Sequence, residues 1–291
     1  MKQKSLVLGL LVFFAAAVAY AYPPTIGREA TIGADLTFNL DAVEFSDSLD
    51  ISNRLIKPKQ FDPQKKYSVV LVLPTCGGSK GRSENQMKYW VNEMTAAGYL
   101  AMNVDSLTPR GFKKGNCKPK PVEDGRLLKD AYDAAIAISA LPYVDKDRIF
   151  TIGFSLGAMS GMLAASPSMT KEVIKGDFRF RANAAVYGGC DYGRGSRYLE
   201  SDLDRPLLVL MGAKDTEAPP EQCYSHLETL KAKKADITWH TYQEVSHGWD
   251  NPVLDGFSKT ANNGQSITYI YSKEVTDDTK RRILEFLARF K

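Results

Sequence analysis

Five stretches of this chain, residues 68–73, 100–104, 148–152, 184–187 and 207–211, are apolar almost without interruption and rich in β-branched side chains. A strand with one wet face alternates polar and apolar residues, so runs of this kind suit strands covered on both faces. Between them lie segments with helical spacing, at 84–97, 123–140, 158–165 and 220–233. Parallel neighbours need long crossovers, which helices supply. The alternation therefore predicts an α/β fold: a doubly wound, mostly parallel sheet with helices on both faces and right-handed crossovers. Residues 237–242 read as one more strand, and 277–290 as a closing helix capped by Thr276. Residues 34–56 alternate loosely, which predicts an edge hairpin. No repeat or linker divides residues 22–291, which are read as a single domain.

The first 21 residues follow another rule. Lys2 and Lys4 precede an apolar run over 6–18 that closes on Ala19-Tyr20-Ala21. A basic start, an apolar centre and a small-x-small ending mark a secretory signal peptide, so a leader over 1–21 and a mature chain from Tyr22 are expected. The apolar run is short for a membrane span and no cysteine follows it to take a lipid. A secreted or periplasmic location without a stable membrane anchor is expected. Without Lys2 and Lys4, 36 basic side chains face 34 acidic ones, a net charge of +2. Short basic runs such as Lys65-Lys66 and Lys113-Lys114 are read as solvated surface, and nucleic acid is excluded as a partner.

The strand pattern at 148–152 runs into Gly153-Phe154-Ser155-Leu156-Gly157, a G-x-S-x-G turn, and then into a helix. Such a turn projects a serine hydroxyl from the sheet, and glycines two before and two after let neighbouring backbone pass close. A serine needs a base to take its proton, and the base needs an acid to hold its tautomer. Asp215 follows the 207–211 strand and His247 follows the 237–242 strand, so both occupy loops at the same end of the sheet. The chain order Ser, Asp, His is that of an α/β hydrolase. A turn or capping carboxylate before Pro219-Pro220 is the plainer reading of Asp215, and it applies to Glu217 as well. His226 lies in a helical stretch and His240 in a strand, so neither is placed to serve Ser155. Two backbone N–H groups would hold the oxyanion, from Leu156 and from the loop after the first long strand. Cys76 is the favoured second donor, with Thr75 and Gly77 as alternatives.

The chain resembles the dienelactone hydrolase family of α/β hydrolases over most of residues 22–291. The resemblance is carried by L-P-T-C-G-G at 73–78, G-Y-L-A-M-N-V-D-S-L-T-P-R-G at 98–111, R-L-L-K-D-A at 126–131 and D-R-I-F-T-I-G-F-S-L-G at 147–157. G-A-K-D-T-E-A-P at 212–219 and S-H-G-W-D at 246–250 complete it. It implies the α/β-hydrolase fold and cleavage of a small-molecule acyl ester or lactone, with no metal or organic cofactor. Two positions depart from the family. Ser155 stands where members often carry a cysteine nucleophile, and Pro74-Thr75 stands where many read His-Gly.

On that fold, Cys76 and Cys117 leave consecutive strands at the catalytic end, while Cys190 follows the next strand and Cys223 opens the next helix. Neighbouring loops meet, so Cys76–Cys117 and Cys190–Cys223 bridges are expected, the competing reading being a free, reactive Cys76. Their spacing does not suit zinc. Phe154, Trp249, Tyr192 and Tyr198 are candidate walls of a substrate pocket, although aromatic side chains more often serve as plain core. Arg110 could bind an anionic substrate group or pair with a nearby carboxylate. Two other readings stand beside ester hydrolysis: a binding protein that keeps the fold without catalysis, and acyl transfer or peptide cleavage by the same three residues.

Overall fold

The computed structural model describes residues 25–291 apart from 113, 114, 116, 118, 119, 194, 195 and 261–265, with backbone only at 25, 192, 193, 196 and 197. The expected leader over 1–21, the start at Tyr22, Lys113-Lys114 and the Tyr192 side chain lie outside the described residues. In chain order the strands are β1 (Asn39–Glu44), β2 (Arg54–Lys57), β3 (Tyr67–Leu73), β4 (Leu100–Asn103), β5 (Val144–Phe154) and β6 (Asn183–Val186). They continue with β7 (Asp191–Gly193), β8 (Ser196–Arg197), β9 (Leu207–Gly212), β10 (Ile237–Tyr242), β11 (Ser258–Thr260) and β12 (Ser266–Thr268). The helices are α1 (Thr25–Ala30), α2 (Glu84–Ala96), α3 (Asp124–Ser139), α4 (Leu156–Ala164), α5 (Pro167–Val173), α6 (Glu221–Ala232) and α7 (Lys273–Ala288).

Eight strands form one sheet in the order β1-β2-β4-β3-β5-β6-β9-β10. Neighbours run parallel except where β2 meets β4. The hairpin expected over 34–56 does not form, because β1 and β2 are parallel. The reason lies at Asn53, a non-glycine residue with φ 53°. Its side chain donates to Asp105 O and accepts from Asp105 N, at 2.9 and 2.8 Å, while Ser52 bridges to Asn103. The approach to β2 is therefore set from the β4 side rather than by a turn out of β1.

Because side chains alternate across a strand, each buried strand feeds two cores. Val69, Leu71 and Leu73 of β3 pack with α1, α3, α4 and α6, while Val70 and Val72 pack with α2 and α7. Along β9, Leu207, Val209 and Met211 join the first core, and Leu208 and Leu210 the second. Each such side chain contributes about 1.5–3 kcal/mol on burial, which is why the apolar runs are continuous.

The R-L-L-K-D-A segment serves an ion network centred on Arg126 and the buried Asp130 of α3. Arg126 donates to Asp130 at 2.7 Å and to Asp35 at 2.9 Å, and Arg110 pairs with the other face of Asp130 at 2.7 Å. Arg110 also donates to Ala34 O and Ser106 O, which ties residues 25–35 to the body of the fold. A Cβ on Gly125 would lie 2.0 Å from Ile26 O, so glycine there lets α1 lie directly on α3. Cys76 is bonded to Cys117 and Cys190 to Cys223, with Cα separations of 4.9 and 5.2 Å. Among the described residues no helix is long and apolar enough to cross a membrane.

The closing helix begins earlier than its sequence pattern implies. Ser272, not Thr276, is its cap: the Ser272 hydroxyl accepts from Val275 N, while the Thr276 hydroxyl donates inward to Ser272 O and Trp249 O. Ser272→Ala is expected to lower the unfolding free energy by about 1 kcal/mol. An unchanged urea midpoint at constant slope would remove Ser272 from that role.

Candidate active site

Ser155 occupies the turn between β5 and α4 with φ 52° and ψ −112°, a conformation that a side chain adopts only under constraint. Its N–H donates to Val186 O at 2.9 Å and its carbonyl accepts from Met159 N at 3.1 Å, so β6 and the first turn of α4 hold it from both sides. The flanking glycines have steric causes. A Cβ on Gly153 would lie 2.2 Å from Gly157 O, and one on Gly157 would lie 2.1 Å from Leu73 O and 2.6 Å from Pro74 O. The helix start is thus pressed against the end of β3, a closeness that no larger residue permits.

The His247 Nε2 atom lies 2.8 Å from Ser155 Oγ, and its Nδ1 lies 2.8 Å from Asp215 Oδ2. All three side chains are buried. The other oxygen of Asp215 accepts from Glu217 N and Ala218 N, both at 2.9 Å, which fixes the carboxylate by a turn of its own loop. Gly212 lets the loops of Asp215 and His247 meet, since a Cβ there would lie 2.6 Å from Val245 O. Lys214 N donates to that same carbonyl at 3.1 Å. His226 pairs instead with Asp191 at 3.0 Å, and His240 packs edge-on against Tyr242, so neither joins Ser155.

Burial pushes the His247 imidazole toward its neutral form, but Asp215, by charge and hydrogen bond, and the charge of Glu217 outweigh it and raise the pKa above the ordinary 6.5. Glu217 is itself partly buried, which alone would favour its protonated form. The charge of His247 and contacts from Lys259 and Tyr269 nevertheless hold its carboxyl below the usual range. Lys259 Nζ lies 2.6 Å from one Glu217 oxygen, and the Tyr269 hydroxyl donates to the other. Asp215, not Glu217, meets the histidine directly.

Each residue of S-H-G-W-D has a separate task. The Ser246 hydroxyl donates to Thr268 O, Gly248 takes φ 67°, and the Trp249 indole donates to Thr279 on α7 at 3.1 Å. Asp250 is fully buried and accepts from Gln86 at 2.8 Å, Trp90 at 2.6 Å and Tyr187 at 2.7 Å. Burial raises its carboxyl pKa even against those three donors. The Tyr187 ring lies 4.8 Å from that of His247, so this polar cluster forms the floor on which the histidine rests.

A family model described as the dienelactone hydrolase family matches residues 51–291. The chain belongs to the dienelactone hydrolase family. A dienelactone hydrolase-like protein from Klebsiella pneumoniae superposes with a TM-score of 0.61 at 21% identity, covering 81% of this chain and 92% of its own. Esterase 2 of Thermogutta terrifontis with propionate bound gives a TM-score of 0.58 at 16% identity, over 81% of this chain and 88% of the esterase. The same esterase phosphorylated by paraoxon gives 0.59 at 17% identity, over 81% and 87%. These likenesses establish the α/β-hydrolase fold. No curated protein matches the sequence significantly.

Within this member of the dienelactone hydrolase family, the expected pocket residues are used elsewhere. Phe154 points into the core, 4.9 Å from the Trp90 ring, and Trp249 is fully buried and hydrogen-bonded to Thr279. Tyr198 is buried and donates to Asp124 at 3.0 Å, and Arg110 is held by Asp130. A cavity of about 30 Å³ instead opens beside the helix start, lined by Pro74, Thr75, Leu107, Leu127, Leu156 and Ser160 among others. Gln86, Trp90, Tyr187 and Asp250 escape a sequence reading because their meeting spans 164 positions between Gln86 and Asp250. The only local signal is a carboxylate beside a histidine loop. Gly157→Ala is expected to destabilise the fold by about 3 kcal/mol or more, because Leu73 O is backbone and cannot rotate away. Thermal unfolding within a degree of the parent would show that β3 and α4 can separate.

Proposed function

We propose that the chain is an exported serine hydrolase that cleaves a carboxylic ester or lactone through Ser155, His247 and Asp215. The observation that carries the reading is the continuous chain from Ser155 Oγ through both His247 nitrogens to Asp215, with both contacts at 2.8 Å. Neutral His247 takes the proton as Ser155 Oγ attacks the acyl carbon, and Asp215 accepts the hydrogen bond from Nδ1 and stabilises the imidazolium. His247 then hands the proton to the leaving oxygen. Water, activated in the same way, attacks the acyl-enzyme and regenerates Ser155.

The oxyanion is held by the N–H groups of Leu156 and Cys76. Leu156 opens α4, where the first amides have no partner within the helix. Gly77 N is taken by the Thr75 hydroxyl at 3.1 Å and Gly78 N by Thr75 O at 2.9 Å, whereas Cys76 N has no partner among the described residues. Residues 22–291 act as one domain in this reading, and the leader over 1–21 directs export to the periplasm or beyond. The two disulfides are consistent with that oxidising destination.

The test is covalent. Paraoxon, which phosphorylates the structurally similar Thermogutta esterase, or a fluorophosphonate is expected to add once to the protein and not to Ser155→Ala. Intact mass reads the outcome, and an unlabelled, folded parent would reject the proposal. The pH profile has a defined sign. Because His247 must be neutral to act and its pKa is raised, kcat/KM should climb with a midpoint above 6.5. Glu217→Gln removes one of the charges that raise it and should move that midpoint down, while a midpoint at or below 6.5 in the parent contradicts the assignment.

A further inference from the structure

One donor of the oxyanion pair is fixed by regular structure and the other is not. Leu156 N–H belongs to α4, locked between β5, β6 and β3. Cys76 N–H belongs to the loop after β3. The bonds inside that loop, Gly77 N to the Thr75 hydroxyl and Gly78 N to Thr75 O, set its curl but not its place relative to α4. Its outward ties through side chains are the 3.3 Å contact of the Thr75 and Ser83 hydroxyls and, at its far end, the bond that Asn103 Nδ2 donates to Ser79 Oγ at 2.8 Å.

The other face of the loop is met by Gly115 and Cys117. Gly115, at φ 84°, lies so close that a Cβ on it would sit 2.8 Å from Cys76 O and 3.2 Å from Gly77 Cα. Two positions later Cys117 is covalently bonded to Cys76 itself. The loop is therefore gripped between the Gly157 contact on one side and a disulfide on the other. That disulfide emanates from the residue whose amide is the proposed donor.

We propose that the Cys76–Cys117 bridge is a catalytic positioning device, and that Cys117 is a positioning residue for the oxyanion donor. The inference rests on the serine-hydrolase reading above. A donor pre-set in place stabilises charge without reorganising when it forms, and a misplacement of about 1 Å is worth about a hundredfold in rate. The second bridge supplies the contrast. Cys190 and Cys223 are fully buried and join the segment after β6 to α6, whereas Cys117 is exposed.

The test compares Cys76→Ala/Cys117→Ala, which keeps the backbone amide and leaves no odd thiol, with Cys190→Ala/Cys223→Ala, using p-nitrophenyl acetate. The first pair is expected to lower kcat about ten- to a hundredfold with KM and the midpoint of the pH profile nearly unchanged, since His247 is untouched. The second is expected to lower thermal stability and to change kcat less than threefold. Should the first variant fail to fold, mild treatment of the folded parent with a water-soluble phosphine replaces it. The phosphine gives up two electrons and leaves as its oxide with an oxygen from water, while the exposed bridge becomes two thiols and the mass rises by two hydrogens. Activity should fall in step with that change and return on reoxidation by glutathione disulfide. An unchanged kcat, or equal losses in both variants with a shifted pH midpoint, overturns the inference. A parent that neither hydrolyses the ester nor labels at Ser155 fails earlier, at the hydrolase reading itself, and this inference falls with it.

Discussion

The contact between Gly157 and the Leu73 carbonyl governs the rest of the site. It brings the start of α4 against the end of β3, which forces the chain through Ser155 at φ 52° and leaves the hydroxyl standing above the sheet. A non-glycine residue in such a conformation is worth about 1–3 kcal/mol of strain. It persists because β5 and β6 are paired from Thr151 to Phe154 and Ser155 N continues that pairing onto Val186. Two cores, one on each face of the sheet, hold those strands in place. The strain at Ser155 is thus carried by burial spread over the whole domain.

Around that serine, the buried carboxylates are met by donors. Asp215 spends one oxygen on His247 and the other on two backbone amides. Asp250 collects donors from α2 and from the residue after β6, and the Tyr187 ring, which meets the Trp249 ring edge-on, lies 4.8 Å from that of His247. A buried carboxylate without such partners would be strongly unfavourable. Satisfied, it makes the loop of His247 a rigid support rather than a flexible tip. Lys259 and Tyr269, from the region of β11 and β12, close over Glu217 and complete the surroundings of the imidazole.

Much of this was legible in the chain. The buried strands of the sheet announce themselves as continuous apolar runs, and the structure extends them by only a few residues, most at β5, which starts at Val144. G-x-S-x-G and the loop positions of Asp215 and His247 follow from strand order. The short helix α5, with its Ser166 cap and Pro167, and the small two-stranded sheets leave no mark on the sequence, because segments of two to seven residues carry too little periodicity. The parallel pairing of β1 with β2 cannot be told from a hairpin by sequence pattern. Alternation reports exposure, not direction, and the direction is imposed by Asn53 and Asp105 fifty-two positions apart.

The sequence by itself determined the class of fold, the residue types available for chemistry and the end of the sheet where they gather, since periodicity, glycine punctuation and chain order are local properties. Only the tertiary structure decided what each side chain faces. Phe154, Trp249 and Arg110 look available in sequence but are consumed by core packing, Thr279 and Asp130. Those outcomes depend on which distant backbone segments approach within a few ångströms, and no local pattern encodes such distances.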